Sequence, residues 1–139
     1  MFDFFGLKKK AERTKVLIVD DEPKIVQTLQ DRLEMNEYEV LIAYDGKEGL
    51  EKAVKFLPDV ILLDILMPVM DGLEMLEALR EYPDCSDISV IMLTARNRTQ
   101  DVERAHACGI RDYVVKPFEI SELLEKMEKI VEKRKMAVH

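Results

Sequence analysis

Four short runs of apolar residues constrain the fold of this chain more than any other feature. They span residues 16–19, 60–63, 90–93 and 113–115, and each is too short to form a helix. Unbroken apolar runs without polar alternation are typical of strands that are buried on both faces of a parallel sheet. The runs therefore predict a parallel sheet that helices cover on both sides.

The segments around these runs have helical spacing. Apolar residues recur every three or four positions between the runs and after the last one. They are Ile25, Val26, Leu29 and Leu33; Leu50, Ala53, Val54 and Leu57; Leu73, Leu76 and Leu79; a thinner set of Val102, Ala105 and Cys108; and Ile120, Leu123, Leu124, Met127, Ile130 and Val131. Residues 37–43 supply a fifth strand, whose early glutamates favour an edge position. The sequence thus predicts an α/β fold with one five-stranded parallel sheet and right-handed crossovers.

Helix start and stop signals agree with this division. Pro23 suits a first helical turn, Asp45 is a candidate N-cap of the second helix, and Gly109 is a candidate terminator of the fourth. Pro58 and Pro83 fall in connections, where they interrupt no hydrogen-bonded ladder. We therefore expect strand and helix to alternate five times.

Composition excludes several classes of protein. A length of 139 residues suits one domain, and a net charge of −7 argues against direct nucleic-acid binding, which needs a basic surface. Cys85 and Cys108 lack the spacing of a zinc or redox motif, so we expect two free thiols. The chain has no apolar stretch of membrane-spanning length and no secretory signal, so we expect a cytoplasmic protein.

Polar residues follow the apolar runs at the point where each run ends. Asp20 and Asp21 follow the first run, Asp64 the next, Thr94 another, and Lys116 the last. The carboxyl ends of parallel strands share one edge of a sheet, so these side chains should meet in one crevice. Three carboxylates, a hydroxyl and an ammonium are a suitable set for a divalent cation and a phosphoryl group.

Four motifs in this order carry a resemblance to a known family. VDDE follows the first strand, LLDILMPVMDG surrounds the third, and MLTAR and DYVVKPF lie at the fourth and fifth. Together they resemble the receiver domain of two-component response regulators over residues 15–133. The resemblance implies a flavodoxin-like strand order of 2-1-3-4-5. We divide the chain into an aromatic and basic extension (1–14), a receiver domain (15–135) and a tail (136–139).

The resemblance also implies a cofactor, Mg²⁺ or Mn²⁺. Asp21, Asp64 and the backbone carbonyl of Leu66 would bind the ion directly, and Asp20 would act through water. A cation is also expected on physical grounds, because at about 4 Å and an effective dielectric constant of about 20 each pair of carboxylates costs roughly 4 kcal/mol. The alternative is that Asp20 and Asp21 cap the first helix.

Asp64 is the predicted phosphoacceptor. It ends the most apolar strand, which would hold its carboxylate rigidly for in-line attack on a phosphoryl group. The alternative is that Asp64 caps the turn at residues 67–72. Lys116 is expected to pair with Asp64 and later with the phosphoryl oxygens; its alternative is an ordinary surface lysine.

Further site residues come from the resemblance. Thr94 would donate a hydroxyl to the phosphoryl group and move toward it, Ala95 would leave room for that group, and Tyr113 would fill the space that Thr94 vacates. The Lys116–Pro117 peptide would be cis. The response would appear on a face formed by the fourth helix, fifth strand and fifth helix; alternatively, Tyr113 is an ordinary amphipathic residue.

Several other functions were weighed against this one. A haloacid-dehalogenase-like phosphatase needs an acid where this chain has Leu66, and a flavodoxin-type flavin module would not place acids in its phosphate-binding loop. The resemblance favours a receiver of the stand-alone type. Two alternatives are a receiver-like module that binds partners without phosphorylation and the receiver fragment of a longer response regulator. The expected activity is limited to the domain's own phosphorylation and dephosphorylation.

The expected partners are proteins. The phosphoryl donor would be a histidine kinase or a histidine phosphotransfer protein, and the output would be a downstream protein target. Residues 1–10 contain Phe2, Phe4, Phe5 and three lysines, a pattern that suits a membrane-surface anchor or a docking peptide for a partner. We prefer a frayed extension for this segment over membrane contact.

Overall fold

A computed structural model describes residues 13–138 of the chain, and side chains as far as residue 136. Strands and helices alternate within these residues, and a short 3₁₀ helix lies at Pro83–Cys85. The strands are β1 (Lys15–Val19), β2 (Glu39–Ala43), β3 (Val60–Leu63), β4 (Ser89–Thr94) and β5 (Asp112–Val115). The helices are α1 (Pro23–Met35), α2 (Gly46–Phe56), α3 (Gly72–Leu79), α4 (Thr99–Ala107) and α5 (Ile120–Val138).

All five strands form one parallel sheet in the order β2-β1-β3-β4-β5. The predicted fold class and strand order are confirmed. The register pairs Val19 with Leu63. Hydrogen bonds continue one residue past the strands, from the Asp64 amide to the Val19 carbonyl (3.0 Å) and from the Lys116 amide to the Thr94 carbonyl (2.9 Å). The sheet itself therefore aligns the polar residues that follow each strand.

The core has one layer on each face of the sheet. Successive residues of β1 point to opposite faces, so Leu17 and Val19 join one layer while Val16 and Ile18 join the other. The first layer includes buried residues of α2, α3 and α4, and the second those of α1 and α5. The central strands β3 and β4 are buried along their whole length, as their unbroken apolar sequences predict.

The helix signals act where the sequence places them. Pro23 is the first residue of α1, the Asp45 carboxylate accepts a hydrogen bond from the Glu48 amide (2.8 Å), and Gly109 has a φ of +71° just after α4. These three boundary predictions are confirmed.

Two boundaries differ from expectation. Strand β2 begins at Glu39 and not at residue 37, because Glu37 has a φ of +64° and cannot continue an extended strand. Helix α5 continues through Val138, so most of the predicted tail is helical. The proposals for residues 1–12 lie outside the described residues. Within residues 13–138, no helix is long and apolar enough to cross a membrane.

Candidate functional site

The carboxyl edge of the sheet brings the predicted acidic and basic side chains together. The Lys116 ammonium lies 2.7 Å from Asp20 Oδ2 and 3.2 Å from Asp64 Oδ2. A third carboxylate oxygen, from Glu22, lies at 3.4 Å. Asp20 and Asp64 are buried, and the Lys116 side chain is only 10% exposed. Lys116 is thus a partly buried ion-pair partner and not the surface lysine of the alternative interpretation.

Negative charge exceeds positive charge in this crevice. Asp20, Asp21 and Asp64 each place one carboxylate oxygen within 4.8 Å of the others, and Lys116 is the cation paired with two of them. The Oδ1 atom of Asp64 is buried without a hydrogen-bond partner among the described residues. A buried carboxylate oxygen without a partner is costly, and hard oxygen ligands suit Mg²⁺. The residues present therefore fit a divalent cation.

The pKa values of the buried pair reflect competing effects. Burial, together with the nearby charge of Asp64, raises the pKa of Asp20 despite hydrogen bonds from Lys116 and the Glu22 amide. Burial alone would lower the pKa of Lys116, but the hydrogen bond and charge of Asp20, with the charge of Asp64, raise it overall. Lys116 is accordingly a permanent cation at neutral pH.

The two neighbouring aspartates have different surroundings. Asp20 Oδ1 accepts a hydrogen bond from the Glu22 amide (2.9 Å), so it also supports the turn that leads into α1. The N-cap residue of α1 is Glu22, and its own side chain makes no capping bond. Asp21 is exposed and accepts no hydrogen bond from a described residue. The helix-cap alternative therefore accounts for part of the role of Asp20 and for none of Asp21.

The loop between β3 and α3 is organised without the Asp64 side chain. Asp71 forms a reciprocal capping box with Glu74, and the only described donor to the Asp64 carboxylate is Lys116. A Cβ on Gly72 would lie 2.0 Å from the Asp64 carbonyl oxygen, so only glycine allows this close approach. The alternative of Asp64 as a turn cap finds no support in these contacts. Leu66 lies in this loop with its side chain half exposed.

The remaining predicted residues surround the end of β4. Thr94 is buried, Ala95 follows it at the surface, and the Lys116–Pro117 peptide is cis. Thr94 Oγ1 accepts a hydrogen bond from the Arg96 amide (3.2 Å), while the Tyr113 hydroxyl donates to the Arg96 carbonyl (2.5 Å). The backbone of Arg96 thus connects the side chains of Thr94 and Tyr113 through hydrogen bonds.

Two polar residues of this region were not predicted. Glu22 completes the group of carboxylates around Lys116, and its position directly after Asp20 and Asp21 is a signal that could have identified it. Asp101 is only 1% exposed although it lies on the thinly apolar helix α4. Its sequence signal is weak, because arginines three and five residues earlier are common on exposed helices.

Comparison with known proteins agrees with this geometry. Residues 16–128 match the model of the response regulator receiver domain family. The chain is 39% identical to the response regulator ArlR of Staphylococcus saprophyticus over 87% of its own length and 54% of that protein. It is 38% identical to the DNA-binding dual master transcriptional regulator RpaA of Synechocystis, over 84% of its length and 48% of that protein. The chain spans about half the length of these curated relatives.

Solved structures show the same similarity over nearly whole chains. A CheY-like receiver domain protein from Methanospirillum hungatei superposes with a TM-score of 0.83 at 32% identity, covering 90% of this chain and 99% of that one. Chemotaxis protein CheY4 of Vibrio cholerae gives 0.79 at 36% identity, covering 85% and 98%. With the family model matching most of the sequence, the chain belongs to the receiver domain family of two-component response regulators.

Proposed function

We propose that Asp64 accepts a phosphoryl group and that the domain acts as a phosphorylation-dependent switch. Receiver domains are signalling domains that histidine kinases phosphorylate, and this chain belongs to that family. The observation that carries the specific assignment is the buried, unpartnered Oδ1 of Asp64. It lies at the end of a rigid buried strand, beside the fixed cation Lys116. Because a carboxylate has two oxygens, Asp64 can bind the cation through one of them and attack phosphorus through the other.

Phosphoryl transfer to Asp64 would form an oxygen–phosphorus bond and break a nitrogen–phosphorus bond of the donor. An oxygen of Asp64 forms a bond to phosphorus, and the bond between phosphorus and the donor's histidine nitrogen breaks, with the nitrogen keeping the electron pair. Lys116, already 3.2 Å from Asp64 Oδ2, would then pair with phosphoryl oxygens. The donor is a histidine kinase or a histidine phosphotransfer protein. Hydrolysis of the aspartyl phosphate would reset the switch.

The acidic cluster would hold the cofactor. Asp21, Asp64 and the Leu66 carbonyl are the proposed direct ligands of Mg²⁺ or Mn²⁺, with Asp20 acting through water. When bound, the ion offsets the negative charge of the carboxylates and of the incoming phosphoryl group. The exposed position of Asp21 supports this arrangement, since it leaves one side of the cluster open to solvent and to the donor.

The response would begin at Thr94. Phosphorylation adds about 1.5 to 2 negative charges and three acceptor oxygens, which the Thr94 hydroxyl would approach beside the small Ala95. Tyr113 would follow into the space that Thr94 leaves. The affected surface comprises α4, β5 and α5, and the output is a downstream protein target. Weak packing of α4, of whose side chains only Asp101 and Ala105 are buried, supports a helix that shifts.

The named relatives suggest a wider setting for this switch. RpaA is a DNA-binding transcriptional regulator by name, and this chain matches about half of its length, so a receiver within a DNA-binding regulator is one form that the output would take. The described residues themselves would not contact DNA, because the chain carries a net charge of −7. DNA contact would belong to a separate segment.

Intact mass spectrometry tests the proposal. The protein is incubated with Mg²⁺ and acetyl phosphate, beside Asp64→Asn and a sample without metal. A matched control is Asp71→Asn, which changes an aspartate of the same loop but leaves a residue that caps helices equally well. We expect one metal-dependent phosphoryl adduct on wild type and on Asp71→Asn, and none on Asp64→Asn. An adduct of equal amount on Asp64→Asn would refute the assignment.

An absent adduct would have a separate meaning. If a phosphohistidine donor also fails to label a protein that demonstrably binds Mg²⁺, the receiver-like module that acts without phosphorylation becomes the better explanation. A protein that is labelled by the phosphohistidine donor and not by acetyl phosphate would support the switch and show that it depends on its protein donor.

A further inference from the structure

Asp101 is a buried charge that lies outside the acidic crevice. It is in the first turn of α4 and is 1% exposed. Arg96 donates hydrogen bonds to both carboxylate oxygens of Asp101, from Nε at 2.8 Å and from a terminal guanidinium nitrogen at 2.9 Å. Arg98 adds longer contacts of 3.1 and 3.4 Å from a side chain that is 60% exposed. The hydrogen bonds from Arg96 and then Arg98 hold the pKa of Asp101 well below its ordinary value.

Arg96 joins three parts of the molecule through three different groups. Its backbone amide donates to Thr94 Oγ1, its carbonyl accepts from the Tyr113 hydroxyl, and its guanidinium holds Asp101. The first two contacts end on the proposed switch residues of β4 and β5. The third ends on helix α4, so one residue connects the phosphorylation site to the helix of the proposed response face.

We propose that Asp101 is a positioning residue that transmits the movement of Thr94 to α4 through Arg96. The inference rests on the proposed phosphorylation of Asp64 and names the contact by which that event reaches the response face. When Thr94 Oγ1 turns toward the phosphoryl group, the Arg96 amide loses its acceptor and the segment after β4 is released. Because the guanidinium stays on buried Asp101, the first turn of α4 moves with that segment.

A purely structural role for Asp101 makes a different prediction. An acid in the first turn of a helix stabilises that helix through the helix dipole. That effect would be independent of Thr94, since it acts within the helix. The positioning role requires instead that a change at Thr94 and a change at Asp101 are coupled, so coupling is the property to measure.

Hydrogen exchange of the α4 amides provides the readout. Asp101→Asn keeps the shape of the side chain and removes its charge, and Arg96→Gln keeps both backbone contacts while removing the guanidinium. The matched control is Glu77→Gln, which breaks another arginine–carboxylate pair of α4, with Arg104 at 2.6 Å. That pair leads to α3 and has no contact with Thr94. Near-ultraviolet circular dichroism establishes that each variant is folded.

The first arm of the experiment compares phosphorylated and unphosphorylated protein. We expect all variants to form the same adduct on Asp64. In wild type and Glu77→Gln, phosphorylation changes the exchange of the amides of α4; in Asp101→Asn and Arg96→Gln, that change falls by about threefold or more. An undiminished change in both of these variants, at full phosphorylation, would overturn the inference and leave the proposed function intact.

The second arm does not require phosphorylation. Thr94→Ala removes the acceptor of the Arg96 amide, and its effect on α4 exchange is measured alone and combined with Asp101→Asn or with Glu77→Gln. We expect the effects of Thr94→Ala and Asp101→Asn to depart from additivity by about threefold in exchange rate, and those of Thr94→Ala and Glu77→Gln to be additive. Additivity in both pairs would reject the positioning role even if Asp64 proves not to be phosphorylated.

Discussion

Lys116 and Arg80 are both partly buried cations, but they lie at opposite edges of the sheet and are neutralised in different ways. Lys116 contacts carboxylates at the carboxyl edge. Arg80 follows α3 and donates to backbone carbonyls near the amino ends of β4 and β5. Its closest acceptors are Cys108 (2.8 Å), Ile88 (2.9 Å) and Cys85 (3.0 Å).

The difference distinguishes a set of structural contacts around Arg80 from the proposed functional site around Lys116. Around Arg80, neutral carbonyls take up the guanidinium donors, and the chain segments they belong to are fixed to one another. Around Lys116, carboxylates outnumber the cation, and Asp64 Oδ1 has no described partner. A complete set of contacts gives stability, whereas an incomplete set is what we expect of a site that binds the proposed cation and phosphoryl group. Activity at such a site is commonly obtained at some cost in stability.

Replacing Arg80 with methionine should have the largest effect on stability. The variant would keep much of the apolar stem but would remove the guanidinium hydrogen bonds to at least three carbonyls, of which that of Cys85 also accepts a hydrogen bond from the Ile88 amide. We therefore expect a loss of about 3 kcal/mol in the free energy of unfolding. Urea denaturation measures this loss, with Arg104→Gln, which removes an exposed ion pair, as a control of small effect. A loss of unfolding free energy below about 1 kcal/mol would show that the contacts of Arg80 contribute little to stability.

Adding Mg²⁺ should have the next largest effect, and only at the other edge. A ligand that binds the folded state at about 100 times its dissociation constant stabilises it by about 2.7 kcal/mol. We expect this gain in thermal unfolding of wild type and of the control Asp71→Asn, and a much smaller gain for Asp21→Asn. Equal gains in all three proteins would place the ion somewhere other than the acidic cluster.

Removing one carboxylate should stabilise the metal-free protein. Asp64→Asn relieves repulsion from Asp20 and removes a buried negative charge, so we expect a gain of about 1 kcal/mol in chelator-containing buffer. The same substitution should abolish phosphorylation, so Asp64→Asn should raise stability while it removes the proposed function. A clear loss of stability would mean that the pair of Lys116 with Asp64 outweighs the repulsion.

Positive φ angles offer a smaller contrast between the two edges. Near Arg80 the left-handed residue is Gly109, which adopts this conformation without strain, whereas the loop after Asp64 has Val69 at a φ of +71°. A β-branched residue is unfavourable there, so Val69→Gly should stabilise the protein by about 0.5 to 1 kcal/mol. Denaturant unfolding tests this, and destabilisation would indicate that the exposed Val69 side chain makes contacts that offset its strain.

The pH dependence of stability should separate Asp20 from ordinary carboxylates. Its raised pKa means that, over the range between its unfolded and folded pKa values, the folded state holds more protons than the unfolded state. Stability should therefore rise as pH falls from neutral through the folded pKa, in wild type relative to Asp20→Asn. The unfolding free energies of wild type and Asp20→Asn are compared across this pH range in metal-free buffer. A difference that does not change with pH would contradict the burial of Asp20 beside Asp64.

The sequence was a reliable guide where the backbone alone sets positions. Asp20, Asp64 and Lys116 come directly after parallel strands, so identifying the strands was sufficient to bring these side chains to one edge. The same reasoning explains why the fold class and strand order could be predicted. Residues 37 and 38 were harder, since a left-handed Glu37 has no distinctive signal among ordinary polar turn residues.

Two important residues could not be predicted because their contacts come from distant parts of the chain. Arg80 is satisfied by carbonyls, and a carbonyl is present at every position, so no pattern of side chains identifies its partners. Asp101 belongs to an amphipathic helix whose expected inner face is apolar. Its burial depends on how the segment containing Arg96 folds back over α4, which is a tertiary property.

Locating the phosphoryl group on the chain is the decisive experiment for the proposed role of Asp64. Borohydride reduces an acyl phosphate to an alcohol, so a phosphorylated aspartate becomes homoserine and is identified by tandem mass spectrometry of proteolytic peptides. After incubation with Mg²⁺ and a phosphodonor, we expect homoserine at position 64 and at no other aspartate. Homoserine at Asp20, Asp21 or an aspartate outside the crevice, with Asp64 unmodified, would contradict it.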